Sequence, residues 1–158
     1  MATPAQACKQ ALRDATARWG SRSRVSDGIM GDAQHQKRKS DHNLGNAFDL
    51  THDPANSVDC EKLSRLVIND PRVTYVIWNR QIYSRALASE GWRKYNGKNP
   101  HTHHMHVSIK VVSRDDITPW VWSPGQPDPY SLMPGIIKIC YVEDWFARTT
   151  PKYRCCGM

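Results

Sequence analysis

Four of the chain's seven histidines fall within six residues, His101-Thr102-His103-His104-Met105-His106, and the run opens straight into Val107-Ser108-Ile109-Lys110. A β-strand points successive side chains to opposite faces. Alternation sets Met105, Val107 and Ile109 on one face and His104, His106 and Ser108 on the other. The first face needs an apolar layer to cover it. The second gathers imidazoles, so that one can ligate a metal while its neighbour hydrogen-bonds beside it. Histidine is the commonest metal ligand, and imidazole suits zinc. Any fold for this chain must therefore hold one strand between a core and an imidazole-bearing surface. A His-rich loop standing alone is as often plain solvated surface, and it is the strand that gives this one weight.

A second patch is Ser40-Asp41-His42-Asn43-Leu44-Gly45-Asn46-Ala47-Phe48-Asp49. On one straight strand, His42 and Asp49 would lie roughly 23 Å apart and on opposite faces. Asn43-Leu44-Gly45-Asn46 is a poor helix. The segment must turn back at Gly45, where a positive φ costs little. Ala47 and Asp49 then share one face of a short strand, and Phe48 and Leu50 share the other. Taken alone, a His/Asp pair of this kind is more often a polar loop with a capping aspartate. Joined to His106, the pair gives two nitrogens and one oxygen, with a fourth position left open as in catalytic zinc sites.

The rest of the chain supplies a modest α+β frame. Thr3-Pro4 reads as a helix start with Thr3 as N-cap, and Ala7, Ala11, Leu12, Ala15 and Trp19 recur at helical spacing up to Gly20. Residues 20–40 read as polar loop. A second helix begins at Asn56-Ser57-Val58-Asp59, carries Leu63, Leu66, Val67 and Ile68 on its apolar side, and ends before Pro71. Val73–Trp78 and Ile82–Ser84 flank Asn79-Arg80-Gln81 as a hairpin. Residues 91–103 read as loop, and 105–112 as the best strand. After Ser113 come six of the ten prolines and three of the six tryptophans. The expected architecture is a small antiparallel sheet with two or more flanking helices over 1–112. An irregular extension, 113–158, is expected to pack on that core.

Ser40-x-His42-x-x-Gly45-x-Ala47-x-Asp49 matches the SxHxxGxAxD motif of the zinc D-Ala-D-Ala carboxypeptidases and L-alanyl-D-glutamate peptidases. His104-x-His106, opening a strand, resembles the second motif, HxH, of that family. It takes in VanY-type carboxypeptidases and phage endolysins, and it shares its metal geometry with the hedgehog domain. The resemblance spans about residues 24–112. It implies zinc held by His42, Asp49 and His106, with His104 polarising the scissile carbonyl or stabilising its oxyanion. It also implies that Ser40 and Asp41 shape the ligand loop, with Ser40 lying near substrate, and that Arg38 binds a substrate carboxylate. One position departs from the pattern. Many members carry Glu or Asp three residues before the last zinc histidine, and here that residue is His103. The base is then His103 or His101, a distant acid folded into the site, or the zinc-activated water with His104 alone. Of the aromatics, Trp78 suits the core, while Trp92 and Tyr95 are candidates for a substrate wall.

The chain carries 22 basic and 15 acidic residues, a formal charge of +7. Such a charge favours polyanionic partners. The resemblance points to anionic peptidoglycan, cleaved in its stem peptides, rather than to nucleic acid. A non-catalytic zinc module that binds peptidoglycan or a protein is the alternative. A metal-dependent nuclease is a third, suggested by Asp41-His42-Asn43 and the charge, but the Cys pairs and ββα spacing it would need are missing. No apolar run approaches the roughly 20 residues of a membrane helix. The N-terminus shows no signal peptide, so synthesis in the cytoplasm and action on the wall after release are expected, as a monomer. Five cysteines, an odd number in no metal-binding spacing, read as free thiols.

Overall fold

The computed structural model describes residues 2–31, 37 and 39–133. Five strands form one antiparallel sheet: β1 (Ala47–Thr51), β2 (Val73–Trp78), β3 (Gln81–Ser84), β4 (Arg93–Lys94) and β5 (His104–Ile109). Their spatial order is β1-β5-β2-β3-β4. The histidine-bearing strand is therefore interior, paired with β1 on one side and β2 on the other.

Helices α1 (Gln6–Arg18) and α2 (Cys60–Val67) cover one face. Phe48 and Leu50 of β1, Val76 and Trp78 of β2, and Met105, Val107 and Ile109 of β5 point into this layer. They meet Ala7, Ala11 and Ala15 of α1 and Leu63 and Val67 of α2, all of them buried. The expected alternation in β1 and β5 is what the sheet displays, although β5 stops at Ile109 and residues 111–113 form a single 3-10 turn.

α1 starts later than Thr3 predicts. Its N-cap is Ala5, with no side-chain cap. The exposed N–H groups of a helix start need acceptors, and here distant backbone supplies them. Ala5 N–H donates to the Gly45 carbonyl and Ala7 N–H to that of Arg114, each at 2.9 Å. α2 is capped from its own sequence, since Asp59 Oδ1 accepts from the N–H groups of Glu61 and Lys62. The β2–β3 hairpin turns on Asn79 and Arg80, both at positive φ (43° and 64°), the pairing a two-residue type I′ turn requires.

Residues beyond β5 return over α1. Trp120 and Trp122 are fully buried, stacked on each other at 5.5 Å with Phe48 set edge-on to both. Their indole N–H groups donate to the carbonyls of Ala7 and Ala11. The third tryptophan of this region, Trp145, lies outside the described residues. Among the described residues no helix is long and apolar enough to cross a membrane.

Candidate metal centre

The sheet's other face carries the polar residues. Register places Asp49 opposite His106, Thr51 opposite His104 and Ala47 opposite Ser108. On the far side of β5, Ile77 lies opposite His106 and Tyr75 opposite Ser108. His42 is brought over this surface by a short 3-10 helix, Asp41–Leu44. The Ser40 hydroxyl accepts from the His42 N–H at 3.3 Å. Gly45 reverses the chain at φ 69°, and any Cβ there would collide with the Thr3 carbonyl. The turn inferred from Gly45 thus exists, and its tightness is tertiary as well as local.

Three ligand atoms converge. His42 Nε2 lies 3.2 Å from Asp49 Oδ1 and 3.0 Å from His106 Nδ1, and His106 Nδ1 lies 3.1 Å from the same oxygen. A metal with bonds of about 2.0–2.2 Å holds tetrahedral donors roughly 3.3–3.6 Å apart, so this triangle needs to open by only a few tenths of an ångström. The far nitrogen of each ring is engaged. His42 Nδ1 is 2.9 Å from the Ile29 carbonyl, which fixes Nδ1 as donor and leaves the Nε2 lone pair facing inward. His106 Nε2 is 3.0 Å from Ser108 Oγ, leaving Nδ1 as the inward atom. Partners of this kind orient metal-binding imidazoles. His42, Asp49 and His106 therefore fit a divalent cation by donor type, geometry and backing.

Electrostatics agree with the geometry. Burial favours the neutral acid at Asp49, but hydrogen bonds from His106 and His42 outweigh it and hold the carboxyl well below its usual range. Burial also opposes charge on His42, yet its hydrogen bond to Asp49 and that carboxylate's charge raise its pKa above 6.5. His104 moves the other way, lowered first by burial and then by His106 and His42. Its Nε2 lies 3.7 Å from Asp49 Oδ2 and has no hydrogen-bond partner among the described residues.

A cleft of about 180 Å³ opens above the triangle, lined by Lys39, Ser40, Tyr75, Tyr95, Lys98 and His101. Ser40 and Tyr95 line the cleft. His103 and Trp92 do not. His103 is exposed and contributes its backbone carbonyl to the His52 N–H, while its ring does not line the cleft. It is His101 that enters, through a positive φ of 52°, with its ring 5.0 Å from that of His104 and 5.6 Å from that of His106. Burial and the neighbouring imidazoles push His101 down to about 4. Trp92 follows β3 onto the helix-covered face, under the Arg65 guanidinium at 4.1 Å and beside Tyr83. Arg38 lies outside the described residues.

Three contributors escape a sequence reading. The Ile29 carbonyl comes from a loop without regular structure, placed by the Gly28–Asp49 bridge. Ser108 was visible only as a polar residue on the right face. Tyr75 lies within an almost continuous apolar run, and only the Val76/Trp78 alternation could have turned it toward the site. A larger groove of about 610 Å³ lies along α1, between Leu12, Thr16 and Ile29, and holds no histidine among the described residues.

The family model described as VldE, C-terminal domain, matches residues 4–106, well over half of the 158-residue chain, and the chain belongs to that family. No curated protein and no solved structure matches it. The match corrects the assignment to the zinc D-Ala-D-Ala carboxypeptidase and L-alanyl-D-glutamate peptidase family. Five fixed residues within ten record what two ligands and a left-handed glycine need locally. The family match instead reads the chain from α1 to His106 and includes all three converging ligands.

Proposed function

We propose that this member of the VldE C-terminal domain family is a zinc-dependent hydrolase that cleaves peptide bonds in peptidoglycan stem peptides. The observation that carries the reading is the His42–Asp49–His106 triangle at the floor of an open cleft. Two neutral nitrogens and one carboxylate are the donor set of a catalytic zinc site that keeps a position for substrate or water. When bound, zinc supplies Lewis acidity: a nucleophile at neutral pH and polarisation of a carbonyl.

The chain's own residues account for the remainder. His104 presents a hydrogen-bonding nitrogen next to the ligands, where it can hold a substrate carbonyl. His101, kept neutral, offers a lone pair once its Nδ1 donates to the Asn99 carbonyl at 2.7 Å. Lys39 and Lys98, both lining the cleft, attract the carboxylates of an acidic peptide, and the net charge of +7 suits an anionic wall. In this reading the protein works as a monomer and acts on the cell wall.

Mass spectrometry of purified peptidoglycan digested with the protein, with and without a chelator, tests the reading. New stem-peptide fragments that vanish with chelator are expected. Intact muropeptides in both arms would overturn it. One observation favours a second reading, a zinc module that binds without cleaving: among the described residues, Asp49 is the only carboxylate that lines the cleft. Retention on peptidoglycan with no turnover would select that alternative.

A further inference from the structure

β1 is an edge strand of the sheet, and the chain around Gly28 runs antiparallel along its outer side. Asp49 N–H donates to the Gly28 carbonyl at 2.8 Å, and Gly28 N–H to the Asp49 carbonyl at 3.3 Å. In such a pair both polar groups of Gly28 face β1, so the next carbonyl, that of Ile29, faces away. This is the carbonyl that lies 2.9 Å from His42 Nδ1. One residue before Gly28, the Asp27 carboxylate is gripped from two sides. Its Oδ1 accepts from the N–H and the hydroxyl of Thr51, at 3.0 and 2.9 Å. Arg22 donates to Oδ1 at 3.0 Å and to Oδ2 at 2.6 Å, and also reaches the Thr16 hydroxyl of α1 at 3.1 Å. The Thr51 oxygen accepts in turn from the Ser26 N–H at 3.0 Å. Arg22 and Thr51 are both buried.

We propose that Arg22, Asp27 and Thr51 form a buried clamp that fixes the register of this segment on β1 and so positions His42 as a metal ligand through the Ile29 carbonyl. Taking an ion pair out of water is costly, and a buried pair is weak evidence for stability. The cost shows at Arg22 Nε, which is buried with no hydrogen-bond partner among the described residues. What the pair supplies is one alignment. Gly28 carries no side chain to hold a register, and the nearby Val25 and Met30 are exposed. A slip of one residue would exchange inward-facing and outward-facing groups. The Ile29 carbonyl would then turn into β1, and His42 Nδ1 would lose its acceptor. With the clamp closed, Nδ1–H donates to Ile29 and the Nε2 lone pair stays aimed at Asp49 and His106. Asp49 is held by the same pairing, so one clamp places two of the three ligands. These are positioning residues. The clamp rests on the metal reading of the triangle but not on peptidase activity.

The test is zinc affinity of the purified full chain, measured well below the melting temperature by competition with a chromophoric chelator, together with the visible spectrum of the cobalt form. Asp27→Asn keeps the shape but sets an amide against the Arg22 guanidinium. Thr51→Val keeps the shape and removes the hydroxyl, and Thr51→Ser retains it. Asp27→Asn and Thr51→Val are each expected to weaken zinc binding by about 10- to 100-fold and to shift the cobalt bands. Thr51→Ser is expected to keep wild-type affinity. Val67→Ala, in the core on the helix-covered face, is expected to lower the melting temperature without moving affinity or spectrum. Wild-type affinity in both Asp27→Asn and Thr51→Val would overturn the clamp. An equal loss in Val67→Ala would overturn it too, by making the effect one of stability alone. Should Asp27→Asn fail to fold, Thr51→Val against Thr51→Ser gives the decision, and equal affinity of the two would overturn the clamp. Wild-type protein that binds no zinc would refute the metal reading and the clamp with it. Full zinc binding with silent muropeptides would refute only the peptidase.

Discussion

His42 Nε2 and His106 Nδ1 face each other across 3.0 Å, one carried by a short helix before the sheet and the other by the central strand. Two lone pairs cannot rest at that distance without a proton or a metal ion between them. In the metal-free protein a proton fills that place, and Asp49 favours the charged form of His42 by raising its pKa. Metal and proton therefore compete for one position. Zinc affinity should fall as pH drops through the raised pKa of His42, beginning above the 6.5 of an ordinary imidazole. The folded metal-free protein shows the opposite sign. A raised pKa contributes stability that is fully present below the unfolded value and lost as pH rises through the folded value. Asp49, held low, contributes above its unfolded value of about 4 and loses that contribution only in stronger acid. The His42–Asp49 pair thus contributes most to the metal-free protein between about pH 4 and 6.5, whereas His101 and His104, held low by burial, oppose it by losing stability as pH falls below 6.5. Zinc adds its stabilisation at higher pH, so the zinc-loaded profile should rise more steeply with pH than the metal-free one. Thermal melts of both forms from pH 4 to 9 measure this, and parallel profiles would contradict it.

Ligand substitutions should separate into two classes. His42→Ala, Asp49→Ala and His106→Ala each remove one of three ligand atoms, and zinc content is expected to fall from one per chain to near none. His104→Ala removes a nitrogen that stands 3.7 Å from Asp49, outside the triangle. It should keep its zinc and lose most of any turnover. Elemental analysis after dialysis decides this, and zinc loss in His104→Ala equal to that in His106→Ala would exchange the two roles.

How much of this was legible follows from where periodicity was visible. β1 and β5 alternate apolar and polar residues cleanly, so Phe48, Leu50, Met105 and Val107 pointed to the core and Asp49 and His106 away from it before any coordinates. The reversal at Gly45 followed from distance alone. β4 has only two residues, too few to show a period, so nothing local told Trp92 which face to take. Val73–Trp78 is apolar on both faces because one lines the core and the other the cleft, which hid Tyr75. Of the two histidines offered as base, His101 lines the cleft and His103 does not, because the backbone is left-handed at His101, a non-glycine residue. The Thr3 cap failed for a related reason, since distant carbonyls at Gly45 and Arg114 had already satisfied the helix start.

Gly45→Ala should damage stability and metal binding together. A left-handed conformation costs an ordinary residue about 1–2 kcal/mol, and the added Cβ would also strike the Thr3 carbonyl. Relief requires moving either the start of the chain or the loop that carries His42. Denaturant unfolding of the metal-free variant should show a loss of at least about 1–2 kcal/mol, and chelator competition a weaker zinc site. A variant with wild-type unfolding would show that this turn adapts more freely than its packing implies.

The return of the chain over α1 sets the last expectation. Trp120 and Trp122 are fully buried, pack on Phe48 and donate to the Ala7 and Ala11 carbonyls. Truncating a buried tryptophan to alanine typically costs about 3–5 kcal/mol, through lost burial and the cavity left behind. That is a large part of the total stability of a domain this size. Phe48 belongs to the strand that carries Asp49, so the loss reaches the metal floor through β1. Trp120→Ala and Trp122→Ala should each lower the melting temperature sharply, and a chain ending at Ser113 should be insoluble or markedly less stable because α1 loses its outer cover. Differential scanning calorimetry and zinc content of the truncated chain measure both effects. A soluble, zinc-loaded truncation with an unchanged melting temperature that no longer binds cell walls would instead make the extension a targeting element.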